Sequence, residues 1–223
     1  MRDLLASMTE LWFTRLPGMW RLRQAILARR GPRIPADVLK TGRLLNLGCG
    51  RIKIPGFVNV DGLAERAPDV VSPADRLAFA KDGEFDLVRA SHLIEHFEAK
   101  DLPRVLGEWR RVLKPGGYLV VCCPDYTRMS WRAVLQPSAF DEQSPRGREH
   151  FADWVSGFFA LDLPLEFRHK TLFTESGLRN TLERNGFAVI TRLAWPAEIP
   201  ATLGLRDDSC STWSINLLAR RRE

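Results

Sequence analysis

Hydrophobic positions along the chain follow two regimes. Over residues 2–30 they recur at helical spacing: Leu4, Leu5, Met8, Leu11, Trp12 and Leu16, then, past Pro17 and Gly18, Met19, Trp20, Leu22, Ile26 and Leu27. This predicts two short amphipathic helices, which the sequence RRGPRIP at 29–35 ends. From residue 43 the pattern changes to short, nearly continuous apolar runs: RLLNLG, FVNVD, PDVV, FDLVRAS and GYLVVCCPD. Runs of that kind suit strands buried on both faces of a parallel sheet. Between the last two, Leu102, Val105, Leu106, Trp109, Val112 and Leu113 return to helical spacing, with Asp101 as a candidate cap and Lys114, Pro115, Gly116 and Gly117 as the stop. A second helix is predicted in TESGLRNTLERNG, from a Thr174 cap to Asn185 and Gly186, ahead of two last strand-like runs, FAVITRLAW and STWSINLLA.

The β-α-β order predicts an α/β, Rossmann-like doubly wound sheet with helices on both faces. Residues 1–40 read as an N-terminal helical extension and 41–223 as the main domain. The irregular, aromatic and charged stretch 126–173 follows a strand's carboxyl end, where an insertion covers the ligand crevice.

The charge is uneven. The formal net charge is +6, and residues 1–40 carry eight Lys or Arg against three acids, which leaves the rest nearly neutral. A basic head attracts anionic surfaces without choosing among nucleic acid, membrane and protein. Packing of its apolar faces on the main domain or across a homodimer is the simpler reading, with peripheral membrane contact as the alternative. No apolar run reaches the roughly 20 residues of a membrane span, and Thr9 and Glu10 interrupt the first apolar stretch. Cys49, Cys122, Cys123 and Cys210 match neither a disulfide framework nor a paired zinc motif. A cytoplasmic protein is expected.

Candidate chemistry begins at residues 44–62, LLNLGCGRIKIPGFVNVDG. A strand runs into Gly48-Cys49-Gly50, where backbone can approach a ligand, and a second strand ends at Asp61, whose carboxylate can accept both hydroxyls of a ribose. No third glycine completes G-x-G-x-x-G, and the acid follows Gly48 by 13 positions where a dinucleotide fold has about 20. A nucleoside crevice fits better than an NAD site.

Taken in order, Gly48-Cys49-Gly50, Asp61, Asp75 before RLAF, FDLVRASHLIEHF and RVLKPGGYLVV resemble the motifs of class I S-adenosylmethionine-dependent methyltransferases over residues 43–125, with an echo in RHKTLFTESGLRNTLERNGF. The resemblance implies a seven-stranded sheet with its last strand antiparallel, and S-adenosyl-L-methionine as cofactor. It implies that Gly48 and Gly50, with Cys49 between them, face the methionine part, that Asp61 and Gly62 face the ribose, and that Asp75 and Arg76 lie at the adenine. Ser91 and His92 would lie near the amino acid end. Asn46 stands where many members carry an acid that orients the cofactor, so it counts among the expected cofactor residues, and the short link from Gly50 to Asp61 implies an abbreviated first helix.

SHLIEH poses its own question, since H-x-x-E-H is also a zinc-hydrolase pattern. Here it follows a strand, at the crevice, so its work should be local to methyl transfer. Some quinone-precursor O-methyltransferases hold a divalent metal with E-x-x-E-H at this place. His92 replaces the first Glu, which weakens a site for a hard cation such as Mg²⁺, and no metal is expected. His96 can serve as the base that deprotonates the acceptor, with Glu95 orienting it or stabilising positive charge, and His169 is a further candidate at the acceptor. The plainer alternative makes Glu95 and His96 parts of the crevice wall.

The acceptor is expected to be a small molecule or a glycan precursor, methylated on oxygen or nitrogen. SHLIEH in place of a Pro-Pro-aromatic signature argues against DNA. The basic N-terminus keeps an RNA methyltransferase as an alternative, and a non-catalytic cofactor- or partner-binding module is another.

Overall fold

The computed structural model describes residues 34–135, 159, 164, 168–193 and 214–223. The predicted N-terminal helices and most of the predicted cover at 126–173 lie outside the described residues. Among the described residues seven strands form one sheet: β1 (Leu44–Leu47), β2 (Phe57–Asp61), β3 (Val70–Val71), β4 (Phe85–Ser91), β5 (Leu113–Pro124), β6 (Phe187–Arg192) and β7 (Ser214–Arg221). Their order is β3-β2-β1-β4-β5-β7-β6. The first five are parallel, and β7 runs antiparallel to both β5 and β6. Every predicted strand is present, and the last one is antiparallel.

The α-helices that accompany the sheet among the described elements are α1 (Ala36–Thr41), α2 (Leu102–Val112), α3 (Tyr126–Leu135) and α4 (Glu175–Arg184). The apolar stripe of α2 buries Leu102, Val105, Leu106, Trp109 and Val112 against Leu45, Leu47, Val88 and Ala90 of the central strands. Trp109 is fully buried, and its Nε1 donates to the Ala74 carbonyl at 2.8 Å. At ~25 cal/mol per Å² and roughly 200 Å², its burial contributes about 5 kcal/mol before entropic costs. On the opposite sheet face Leu44, Leu87, Val120 and Leu218 pack with Ile34, Ile54 and Phe57. Among the described residues no helix is long and apolar enough to cross a membrane.

Two local expectations change. Asp101 makes no side-chain cap, because it already has helical backbone angles (φ −89°, ψ −16°) that turn its carboxylate away from the first free N–H groups. Lys114–Gly117 does not form a separating loop: Leu113 pairs at once with Phe85, and the stretch is absorbed as an irregularity before Tyr118 pairs with Leu87. Thr174 caps α4 as expected, its Oγ1 accepting from the Gly177 N–H at 3.0 Å. Between β1 and β2 there are turns and no helix, so the first helix is absent from this link.

The strand order reverses between β1 and β4, which opens a crevice beyond their carboxyl ends. Gly48 and Gly50 from the turn after β1 and His92 and His96 from the turn after β4 border it.

Candidate functional site

A cavity of about 680 Å³ lies at this switch point. Gly48, Gly50, Asp61, Gly62 and Asp75 line one side, and His92, Leu93, His96 and Phe97 the other. The turn after β1 is held by the Cys49 N–H on the Val60 carbonyl at 3.0 Å and by the Gly50 N–H on Asp61 Oδ2 at 2.8 Å. Asp61 Oδ1 accepts from the Leu63 N–H at 3.0 Å. Both carboxylate oxygens are thereby oriented, and each keeps a lone pair for another donor. Gly48 has φ +61°, and a Cβ there would press on Leu93 Cδ1 at 2.9 Å. Gly50 has φ +53°, yet a Cβ on it would meet nothing within 4 Å, and the same is true of Gly62. The backbone there is bare towards the cavity, which is what close approach of a ligand requires. Asp75 places Oδ2 on Arg104 Nη1 at 2.6 Å, leaving Oδ1 as an acceptor.

Four expected cofactor residues lie elsewhere. Asn46 is fully buried below the cavity, where its Oδ1 accepts from Arg89 Nη1 at 2.8 Å and its Nδ2 donates to Asn59 Oδ1 at 3.0 Å. An acid at 46 could accept from Arg89 but could not donate to Asn59, so this network selects the amide. Cys49 is buried beside the turn, and burial, with Asp61 and Asp69 nearby, pushes its thiol up to about 11. It is a packed thiol with no thiolate to offer at neutral pH. Ser91 is buried at the end of β4, and the side chain of Arg76 is exposed outside the cavity lining.

The SHLIEH segment forms one 3-10 turn, Ile94–His96, directly after β4. His92 leads into it with φ +49°, a conformation that costs a non-glycine residue roughly 1 kcal/mol or more and persists where its surroundings enforce it. Here the His92 N–H is held by the Cys122 carbonyl at 2.8 Å, Nε2 lies 3.0 Å from Ser214 Oγ, and Nδ1 lies 3.2 Å from Glu95 Oε1. Glu95 is 1% exposed, and apart from that contact with His92 neither of its carboxylate oxygens has a hydrogen-bond partner.

Residues 168–173 are strapped to this turn. The Lys170 and Thr171 N–H groups both donate to the Glu95 carbonyl (2.7 and 3.1 Å), and Thr171 Oγ1 donates to the Phe97 carbonyl at 2.7 Å. His96 Nδ1 lies 3.2 Å from the Arg168 carbonyl, an oxygen that can only accept. Nδ1 therefore carries the hydrogen, and Nε2 of the neutral ring keeps its lone pair. The rings of His96 and His169 meet edge to face at 5.1 Å. The three residues expected at the acceptor, Glu95, His96 and His169, thus come together, with one ligand-capable atom of each within 4.8 Å of the others. His96 faces the large cavity, whereas Glu95 and His169 line a cleft behind it.

The cavity also contains residues that the sequence did not single out: Leu63, Arg66, Phe97, Glu98, Arg104 and Lys170. Leu63 and Arg66 follow Asp61 within five positions, so extending the motif forward would have found them. Arg104 lies off the apolar stripe of α2, and Lys170 arrives only through the strap.

The chain matches the family model described as "Methyltransferase domain" over residues 19–192. A search of the curated proteins finds no match. Among solved structures it is similar to the Burkholderia thailandensis 1,6-didemethyltoxoflavin-N1-methyltransferase with bound 1,6-didemethyltoxoflavin and S-adenosylhomocysteine: 17% identity, 100% of this chain and 87% of that one covered, TM-score 0.50. It is also similar to an S-adenosylmethionine-dependent methyltransferase from Methanosarcina mazei, at 17% identity, 81% and 92% coverage and TM-score 0.50. At such identities the likeness is one of fold.

Proposed function

The chain belongs to the methyltransferase-domain family and is an S-adenosylmethionine-dependent methyltransferase, and on that premise we propose that it methylates an oxygen or nitrogen of a small molecule or glycan precursor, with His96 as the base. The observation that carries this reading is that a bare backbone cradle and a histidine with a free Nε2 lone pair border one cavity. The open positions at Gly50 and Gly62, with Asp61 accepting beside them, fit S-adenosylmethionine. Gly50 and Gly62 would admit its methionine and ribose parts beside the turn that Gly48 makes possible, Asp61 would accept from the ribose hydroxyls, and Asp75 Oδ1 would accept from the adenine amino group.

When bound, this cofactor supplies a methyl group on a sulfonium, a good leaving group, so the protein's share of the work is alignment and proton removal. His96 Nε2 takes the acceptor's proton while Nδ1–H stays on the Arg168 carbonyl. The imidazolium that results lies beside the buried charge of Glu95, which stabilises it. His92, fixed between Ser214 and Glu95, keeps that carboxylate in place. Leu93 and Phe97 give the crevice an apolar wall that limits water.

The test is release of S-adenosylhomocysteine across a panel of hydroxyl and amine acceptors, run for wild type and His96→Ala. Turnover in wild type and its loss in the variant, with cofactor affinity retained, support the reading. Cofactor binding without turnover on any acceptor would favour a non-catalytic module.

A further inference from the structure

We propose that Glu95, His96 and His169 form a binding site for a divalent transition metal of the Zn²⁺ class. They are the one group of three or more His, Cys, Asp and Glu side chains with converging ligand atoms among the described residues. Independently, Glu95 is buried to 1% exposure with no hydrogen bond to either carboxylate oxygen and only His92 Nδ1, at 3.2 Å, beside Oε1, a state that water or a counter-charge ordinarily relieves. Water is a poor remedy: the cleft that Glu95 shares with His169, Thr171 and Phe173 is too narrow to admit a water molecule. A small cation coordinated by the carboxylate removes the deficit.

The donor set decides which cation. Two imidazoles and one carboxylate are borderline in softness, suited to Zn²⁺, Co²⁺ or Ni²⁺ and unsuited to Mg²⁺. This differs from the set considered for the sequence motif alone. His92, its first member, has Nε2 on Ser214 and Nδ1 on Glu95, and the nitrogen that completes the site comes from His169, 73 positions beyond His96 in the chain. Metal bonds of about 2.0–2.2 Å place tetrahedral ligand atoms about 3.4 Å apart, so side-chain rotations need to close the observed 4.8 Å by about 1.4 Å at most. His96 Nδ1 lies 3.2 Å from the Arg168 carbonyl, the outer bond that a ligating imidazole ordinarily makes, so Nε2 is the nitrogen it would offer a metal.

One consequence rests on the assignment of His96 as base. A metal takes the Nε2 lone pair that the base needs, so an occupied site and proton removal exclude one another, and Zn²⁺ inhibits transfer.

Calorimetric titration of ZnCl₂ into the metal-stripped full chain, with and without S-adenosylhomocysteine, tests the site apart from activity. One equivalent should bind, and His169→Ala and Glu95→Gln should each weaken it at least about tenfold, with circular dichroism and S-adenosylhomocysteine affinity unchanged. Co²⁺ should give a spectrum of nitrogen and oxygen ligation. Absence of binding, equal binding by both variants, or thiolate-to-cobalt charge-transfer bands pointing to the buried Cys49, Cys122 or Cys123 would each overturn the proposal. A metal-free enzyme that turns over but binds no Zn²⁺ would refute the metal site and leave the methyl-transfer reading standing.

Discussion

Glu95 and Glu175 are both buried carboxylates, and their surroundings give them opposite tasks. Glu175 opens α4 and meets the guanidinium of Arg192, which also reaches Asp125 Oδ2 at 3.4 Å and the Ser214 carbonyl at 3.3 Å. Burial alone would lower the Arg192 pKa, but the two carboxylates outweigh it and hold the guanidinium above its ordinary value. This cluster ties the end of β5, the start of β7, β6 and α4 together. Glu95, in the turn after β4, has histidines for neighbours and, among the described residues, no permanent cation. A buried charge with its counter-charge beside it is a structural element, whereas one left open at a crevice is held ready for a proton, a cation or a reacting group.

The comparison is tested most severely by turnover. His96→Ala should lower it about 10²- to 10⁴-fold while S-adenosylhomocysteine affinity stays within about twofold, measured by product release and calorimetry. Undiminished turnover would mean that the Glu95 side of the crevice is wall and not machinery.

Stability should reverse the ranking. Arg192→Met leaves Asp125 and Glu175 buried without their cation and should cost about 3–5 kcal/mol in urea denaturation. Glu95→Gln removes a buried charge whose one close polar neighbour among the described residues is His92 Nδ1 at 3.2 Å and keeps the side chain's shape, so folding stability should hold or rise by about 1 kcal/mol. Equal losses in the two variants would erase the distinction between the regions.

Asp61 lies between these extremes, a half-buried carboxylate satisfied by the Gly50 and Leu63 N–H groups and still able to accept from a ligand. Asp61→Asn turns an amide donor towards one of those N–H groups and should weaken S-adenosylhomocysteine by about 10- to 100-fold, or ~1.4–3 kcal/mol. An unchanged affinity would place the ribose hydroxyls elsewhere.

Legibility in the sequence divides along the same line. The strands could be read because each is a short apolar run bounded by turn residues, and the glycine turn and Asp61 because backbone constraint leaves a local signature. Asn46 belongs to the same motif, yet strand alternation points its side chain to the other sheet face, where Arg89 and Asn59 hold it. The acceptor cluster was legible residue by residue and not as an arrangement. What places His169 beside Glu95 is a pair of backbone hydrogen bonds from Lys170 and Thr171, which any side chains can make and no motif records. Arg104 and Lys170 enter the cavity through tertiary packing of the same kind.

The smallest effect concerns the helix starts on which each region rests. Thr174 satisfies the Gly177 N–H next to Glu175, so Thr174→Ala should cost about 1 kcal/mol in stability and leave turnover unchanged. Asp101, which lines the cavity at the start of α2, has helical backbone angles and no capping bond, so Asp101→Ala should cost almost nothing in stability. Its carboxylate lies 3.9 Å from Arg104 Nη2, and Arg104 holds Asp75, so any effect should show in cofactor affinity. A stability loss in Asp101→Ala equal to that in Thr174→Ala would show that the cap forms in solution and that the two ends of the molecule are built more alike than their buried glutamates suggest.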